Sequence, residues 1–219
     1  MIQGGFSFMA LNKIRIQALG ALLCVLSLAG PALAQTDSHG APVTSTAALS
    51  RVRIDNFGKI NDNYFRGAQP KASDYADLSA MGIKTVIDLQ KDGRSDEPGL
   101  VQRAGMQFVR IPMTTTDRPT EAQIAQFFKI VNDPANQPVF VHCAGGRHRT
   151  GTMTALFRMT QDGWNADRAY SEMKQFRFEG FPDHPVLRKF VYAYKPVPVM
   201  PPPAVLATTV VPAAVGTTK

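Results

Sequence analysis

"VFVHCAGGRHRTG" (residues 139–151) carries a strand, a loop and the start of a helix in one short run. Apolar and β-branched residues lead to Cys143, glycines follow at 145 and 146, and Arg147, His148 and Arg149 precede a Thr-Gly pair. The apolar run reads as a buried strand and Thr150-Gly151 as the opening of a helix. A tight strand-to-helix loop of this kind turns successive backbone N–H groups inward at a helix N-terminus, a geometry that holds tetrahedral oxyanions. Gly145 and Gly146 permit backbone conformations that a Cβ would resist. Arg149, six residues after the cysteine, returns over the loop and offers a planar fork to two oxygens of the anion. The same positive field favours the thiolate, the form in which a cysteine is a nucleophile. His142 and the Thr150 hydroxyl can add hydrogen bonds to that thiolate or its neighbours. Without such a setting, Cys143 would read as a small buried hydrophobe.

Working outward, periods of two and of 3.6 alternate along the chain. "NYFRGAQP" (63–70) reads as a short strand closed by a turn, and "KTVIDLQ" (84–90), "MQFVRIP" (106–112) and "PVFVHC" (138–143) as three more strands. Between them, "ASDYADLSAMG" (72–82) and "EPGLVQRAG" (97–105) are short helices that close on glycine. Thr120 and Gln123 form a capping box for a helix over about 121–132, with Ile124, Phe127, Phe128 and Val131 on its core face. Further helices are expected near 150–161, 165–177 and 185–194. This order predicts an α/β fold, a central, mostly parallel four- to five-stranded sheet flanked by helices on both faces. Ligands of such sheets sit at the carboxyl ends of the strands. Loops 91–99, 112–120 and 143–149 therefore meet at one edge, which brings Lys91, Arg94 and Asp117 toward Cys143.

The 219 residues, 44% hydrophobic and 19% charged, suit one domain with a sizeable core. A formal charge of +7 suits an anionic substrate. The basic residues are scattered and form no stripe, so no nucleic-acid partner is expected. Residues 1–34 have the layout of a bacterial export signal: Lys13 and Arg15, the apolar "ALGALLCVLSLAG" (18–30), then "ALA" (32–34). The apolar run is short for a membrane span, so none is expected after cleavage. Cleavage after Ala34 removes Cys24 and leaves Cys143 unable to form an internal disulfide. Residues 35–51 read as a flexible linker and the Pro/Val/Ala-rich 195–219 as a disordered tail. A monomeric domain over 52–194 is expected, exported to the periplasm or secreted.

"HCAGGRHRTG" (142–151) resembles the HCxxGxxRTG loop of the cysteine-dependent protein phosphatases. "NYFRGAQP", "TVIDLQ" and the "GW" at 163–164 extend the likeness to dual-specificity phosphatases. The chain is most similar to their compact atypical branch from plants and fungi and its bacterial relatives, over about 60–180. The resemblance implies a protein tyrosine phosphatase-like fold and a phosphorylated protein or small phosphorylated molecule as substrate. In that mechanism Cys143 attacks phosphorus, and Ala144, Gly145, Gly146, Arg147, His148 and Arg149 surround the phosphate oxygens. A general acid protonates the leaving group, and water hydrolyses the cysteinyl-phosphate. No metal or other cofactor is implied. The family's acid is an aspartate on a mobile loop before the helix that precedes the nucleophile strand. "IPMTTTDRPTEAQ" (111–123) offers Asp117 there, with Glu121 as the alternative, although the Trp-Pro-Asp sequence of larger tyrosine phosphatases is missing. His142 and Thr150 become supporting residues.

Three functions remain open at this level. One is a phosphatase for phosphotyrosine and other monoesters, and the second a phosphatase for inositol polyphosphates or pyrophosphates, which a basic rim would suit. The third is a phosphate-binding module without catalysis. A rhodanese-type sulfurtransferase also uses a cysteine loop after a strand, but the arginine spacing and the RTG ending oppose it. Each residue has an ordinary reading as well: Asp117 as a solvated loop acid, His142 as a core histidine, and Arg147, His148, Lys91 and Arg94 as plain surface. Arg66 is expected to brace the loops.

Overall fold

The computed structural model describes residues 51–180, 182 and 184–196. The segments read as an export signal, a linker and a tail lie outside these residues, apart from Arg51, Lys195 and Pro196. Among the described residues no helix is long and apolar enough to cross a membrane.

Five strands make one sheet: β1 (Gly58–Asn61), β2 (Tyr64–Ala68), β3 (Thr85–Gln90), β4 (Gln107–Met113) and β5 (Val139–Cys143). Their order is β1-β2-β5-β3-β4, with β1 antiparallel to β2 and the other neighbours parallel. The helices are α1 (Asp74–Ala80), α2 (Glu97–Arg103), α3 (Glu121–Val131), α4 (Arg149–Gln161), α5 (Ala166–Gln175) and α6 (Pro185–Ala193). Every residue of β2, β3 and β5 is buried, because both faces of the sheet are covered, as parallel strands require. On one face Tyr75, Leu78 and Val101 of α1 and α2 pack on Phe65, Val86 and Phe140. On the other, Phe127, Leu156, Met173 and Leu187 of α3 to α6 pack on Ile87, Val139 and Val141.

The expected α/β architecture is present, with element ends within a few residues of those expected. The Thr120–Gln123 capping box forms as read, and Gln123 Nε2 also donates to the Pro112 carbonyl at 2.6 Å. The loop between β4 and α3 is therefore fastened at both ends. β1 was not expected. Its four residues bury Ile60 alone, so no alternation marks it, and it exists by pairing with β2. α4 is buried at every position from Arg149 to Phe157, which removes the one-sided period of a surface helix.

Parallel register does the positioning. Ala68 of β2 stands beside Cys143, and Asp88 of β3 beside His142. The carboxyl ends of β3, β4 and β5 thus open onto one edge, where the loops carrying Asp92, Asp117 and the 144–148 turn converge.

Candidate active site

Cys143 ends β5 with 2% of its surface exposed, a free thiol at the floor of the following loop. The loop's carbonyls point outward, and each has a donor. Ala144 O accepts from the Gln69 N–H at 3.1 Å. Gly145 O and Gly146 O accept from Asn56 Nδ2 at 3.2 and 3.0 Å, and Gly146 O also accepts from the Arg66 guanidinium. A trans peptide sets its C=O and N–H on opposite sides. The N–H groups of Gly145, Gly146 and Arg147 therefore face the concave side. No side chain caps the N-terminus of α4, so its first N–H groups extend the same anion-binding surface.

The two glycines have different reasons to be there. Gly146 has φ of +63°, and a Cβ on it would lie 2.5 Å from Gly67 C and O and 2.7 Å from Ala68 N. A Cβ on Gly145 would meet Arg147 Cγ at 3.5 Å, an ordinary contact. Gly146→Ala should therefore destabilise the domain by about 2–4 kcal/mol through left-handed strain and backbone overlap. Gly145→Ala should stay within about 1 kcal/mol. Denaturant midpoints of the two variants check the contrast, and equal values would mean that the loop does not press on β2.

Two arginines flank the thiol. Arg66 is fully buried, with its guanidinium 3.9 Å above the Phe176 ring. Burial pulls its pKa down to about 10, against the opposing pull of Tyr64, Cys143 and Glu172. It remains a cation at neutral pH and braces the loop, as expected. Arg149 is buried at the first position of α4, and its Nη1 donates to Met113 O at 3.3 Å and to Asp92 Oδ1 at 3.1 Å. Arg149 Nε and Thr150 Oγ1 are buried with no hydrogen-bond partner among the described residues. Those are groups that a bound anion can satisfy.

His142 points to the opposite face of β5 from Cys143, stacked on Phe140. Its Nε2 lies 2.9 Å from Glu97 Oε1. Glu97 also accepts from Tyr75 Oη at 2.7 Å and Gln69 Nε2 at 2.9 Å. Burial raises the Glu97 pKa, but His142, Tyr75 and Gln69 outweigh it and hold the carboxyl below the usual range. Asp88, Glu97 and His142 bring polar atoms within 4.8 Å of one another. Arg110 Nε sits 2.8 Å from Asp88 Oδ2, so this is a charge-compensated network beneath the loop. His142 supports Cys143 through the strand and reaches neither the thiol nor the cradle with its ring.

Arg147 and His148 contribute backbone rather than side chain. Arg147 Nη1 lies 3.4 Å from Glu179 Oε1, and His148 Nε2 lies 3.7 Å from Glu179 Oε2. The His148 ring packs 3.7 Å from that of His184, whose Nδ1 is 3.3 Å from Thr115 O in the loop between β4 and α3. Burial, then the His184 charge, push the His148 pKa down to about 4. Both side chains are turned to the segment after α5, away from a phosphate in the cradle.

Asp117 is exposed, and its Oδ2 accepts from Thr114 Oγ1 at 2.7 Å. It lines a cavity of about 360 Å³ that shares Lys91, Met113 and Thr114 with the cavity of about 510 Å³ lined by Arg149. Glu121 lines a groove with Ile124 and Phe190 that shares Arg118, Pro119 and Thr120 with the Asp117 cavity but no residue with the Arg149 cavity. Of the two acids, Asp117 is the one next to the Arg149 cavity. Lys91 lines both cavities, whereas Arg94 is tied to Asp96 by two bonds of 3.0 and 2.6 Å. Sequence reasoning missed Asn56, Gln69, Asp92 and Glu97. Asn56 reaches the loop from about ninety residues away, a separation that no local pattern reports.

A family model described as "DSP-PTPase phosphatase fused to NAD+ Kinase" matches residues 44–186. The dual specificity protein phosphatase TpbA of Pseudomonas aeruginosa (strain UCBPP-PA14) is 28% identical over 162 residues, covering 73% of this chain and 71% of that protein. The inositol diphosphatase DSP2 of Oryza sativa subsp. japonica is 26% identical over 126 residues, covering 55% and 61%. Among solved structures, the core catalytic domain of the PP-IP phosphatase SIW14 from S. cerevisiae shares the fold, with a TM-score of 0.57 at 20% identity over 65% of this chain and 87% of that one.

Proposed function

The chain belongs to the DSP-PTPase phosphatases, and from that membership we propose an exported enzyme that hydrolyses single phosphate monoesters, phosphotyrosine of proteins foremost. It is a cysteine-dependent phosphatase of the dual-specificity, PTP-like type. The observation that carries the finer reading is the anchoring of three consecutive loop carbonyls by Gln69, Asn56 and Arg66, which turns the N–H groups of the same peptides to the other side, where one tetrahedral phosphate can accept from them.

In the first half-reaction Cys143 Sγ attacks phosphorus in line while the loop N–H groups and Arg149 hold the equatorial oxygens. The P–O bond to the substrate breaks, and the Asp117 carboxyl gives its proton to the leaving oxygen. In the second, the Asp117 carboxylate takes a proton from water, whose oxygen attacks phosphorus. The S–P bond breaks, inorganic phosphate departs, and the Cys143 thiolate and the protonated Asp117 carboxyl are restored for the next cycle.

The alternative of an inositol pyrophosphate substrate draws on the names of DSP2 and SIW14. The rim weighs against it. Arg94 is paired with Asp96 and Arg147 with Glu179, so less positive charge is left for a second phosphate than the sequence suggested. A panel of phosphotyrosyl peptide, phosphoseryl peptide and inositol pyrophosphate tests the choice. The phosphotyrosyl peptide should show the highest kcat/KM by about ten-fold or more, and a higher value for the pyrophosphate would overturn the reading. Export is supported by the charge and hydropathy layout of residues 1–34. A periplasmic protein beginning at Gln35 is expected, and an unprocessed cytoplasmic chain would count against it.

A further inference from the structure

We propose that Asp92 is a built-in competitor for the substrate phosphate, a latch that closes on Arg149 before substrate binds and is displaced as phosphate enters. The inference rests on the phosphatase reading and adds a residue that sets affinity. Asp92 is the second residue after β3, and its Oδ1 takes a hydrogen bond from Arg149 Nη1 at 3.1 Å. The partners are unlike in exposure: the Asp92 side chain is 82% exposed, that of Arg149 9%. Both line the same cavity of about 510 Å³, with Lys91 and Thr114.

This asymmetry decides which partner moves. An exposed carboxylate released from the pair is rehydrated at little cost, whereas a buried guanidinium needs another anion at once. Arg149 is also held by the Met113 carbonyl, so it keeps its place when the carboxylate leaves. A phosphate dianion and a carboxylate cannot both crowd one guanidinium without repulsion. The phosphate therefore binds with its own affinity for Arg149 less that of the latch. Asp92 is poorly suited to donate a proton, because its own backbone N–H and then Arg149 hold its pKa below the usual carboxylate range.

The test is tungstate binding by calorimetry on the full chain and its Asp92→Asn and Asp92→Ala variants, with circular dichroism to confirm the fold. Both variants should bind tungstate about three- to ten-fold more tightly, the scale of an ion pair with one exposed member. KM for an aryl phosphate should fall by a similar factor, with no gain in kcat. Equal or weaker tungstate binding in the variants overturns the latch, as does a hundred-fold loss of kcat, which would make Asp92 a proton donor. A wild-type protein that binds no tungstate overturns the phosphatase reading and the latch with it.

Discussion

Cys143→Ser should lose turnover of aryl phosphates by at least about 10⁴-fold and still bind tungstate. Serine is close to cysteine in size, but its hydroxyl is not ionised at neutral pH and the neighbouring histidine does not serve it as a base. The ring of His142 faces the other side of β5, paired with Glu97. The cradle does not depend on the sulfur, because its shape is set from outside by Gln69, Asn56 and Arg66. Loss of chemistry and retention of binding are thus separable. Steady-state kinetics and calorimetry on one preparation measure both. Activity within ten-fold of wild type would remove the thiol from the mechanism. Loss of tungstate binding along with activity would mean that the loop needs the sulfur to hold its form.

The second large effect falls on Asp117. Asp117→Ala should reduce kcat/KM, which reports transfer to Cys143, by about 10²–10⁴-fold for an alkyl or peptidyl leaving group and far less for a nitrophenyl one, which departs without a proton. The carboxylate is held by Thr114 in the cavity next to that of Arg149, so the proposed acid role requires movement of the loop between β4 and α3. Glu121 faces the groove beside Phe190 instead. Unchanged turnover in Asp117→Ala, combined with a loss in Glu121→Gln, would move the acid to the first residue of α3 and refute the assignment. Intact binding with no turnover in wild type would favour the non-catalytic module.

What the sequence disclosed and what it hid divide along physical lines. Strands buried on both faces, such as "TVIDLQ" and "VFVHC", announce themselves by continuous apolar runs, and the Thr120 cap by its partner three residues on. The loop motif was legible because its parts are adjacent: strand end, cysteine, glycine and arginine all lie within residues 143–149. Electrostatics assembled across the fold was not. Whether Arg94 or Arg147 offers charge to a substrate depends on Asp96 and Glu179. The pairing of Asp92 with Arg149 spans 57 positions. Side-chain direction was hidden as well. Alternation along β5 sends His142 to the α1–α2 face while Cys143 joins the other, so a neighbour in sequence acts only through the backbone. The two glycines looked alike, and the left-handed backbone of Gly146 together with its closeness to Gly67 separates them.

The central claim is a covalent one: phosphate passes through Cys143. Asp117→Ala with a nitrophenyl ester gives the most direct access to it, since formation of the intermediate needs no proton donor while its hydrolysis loses its base. Rapid acid quench followed by mass analysis of the peptides should find one phosphoryl group on the peptide that carries Cys143, accumulating within the first turnover. A phosphoryl group on any other side chain, or turnover that continues with no adduct at Cys143, would contradict the mechanism.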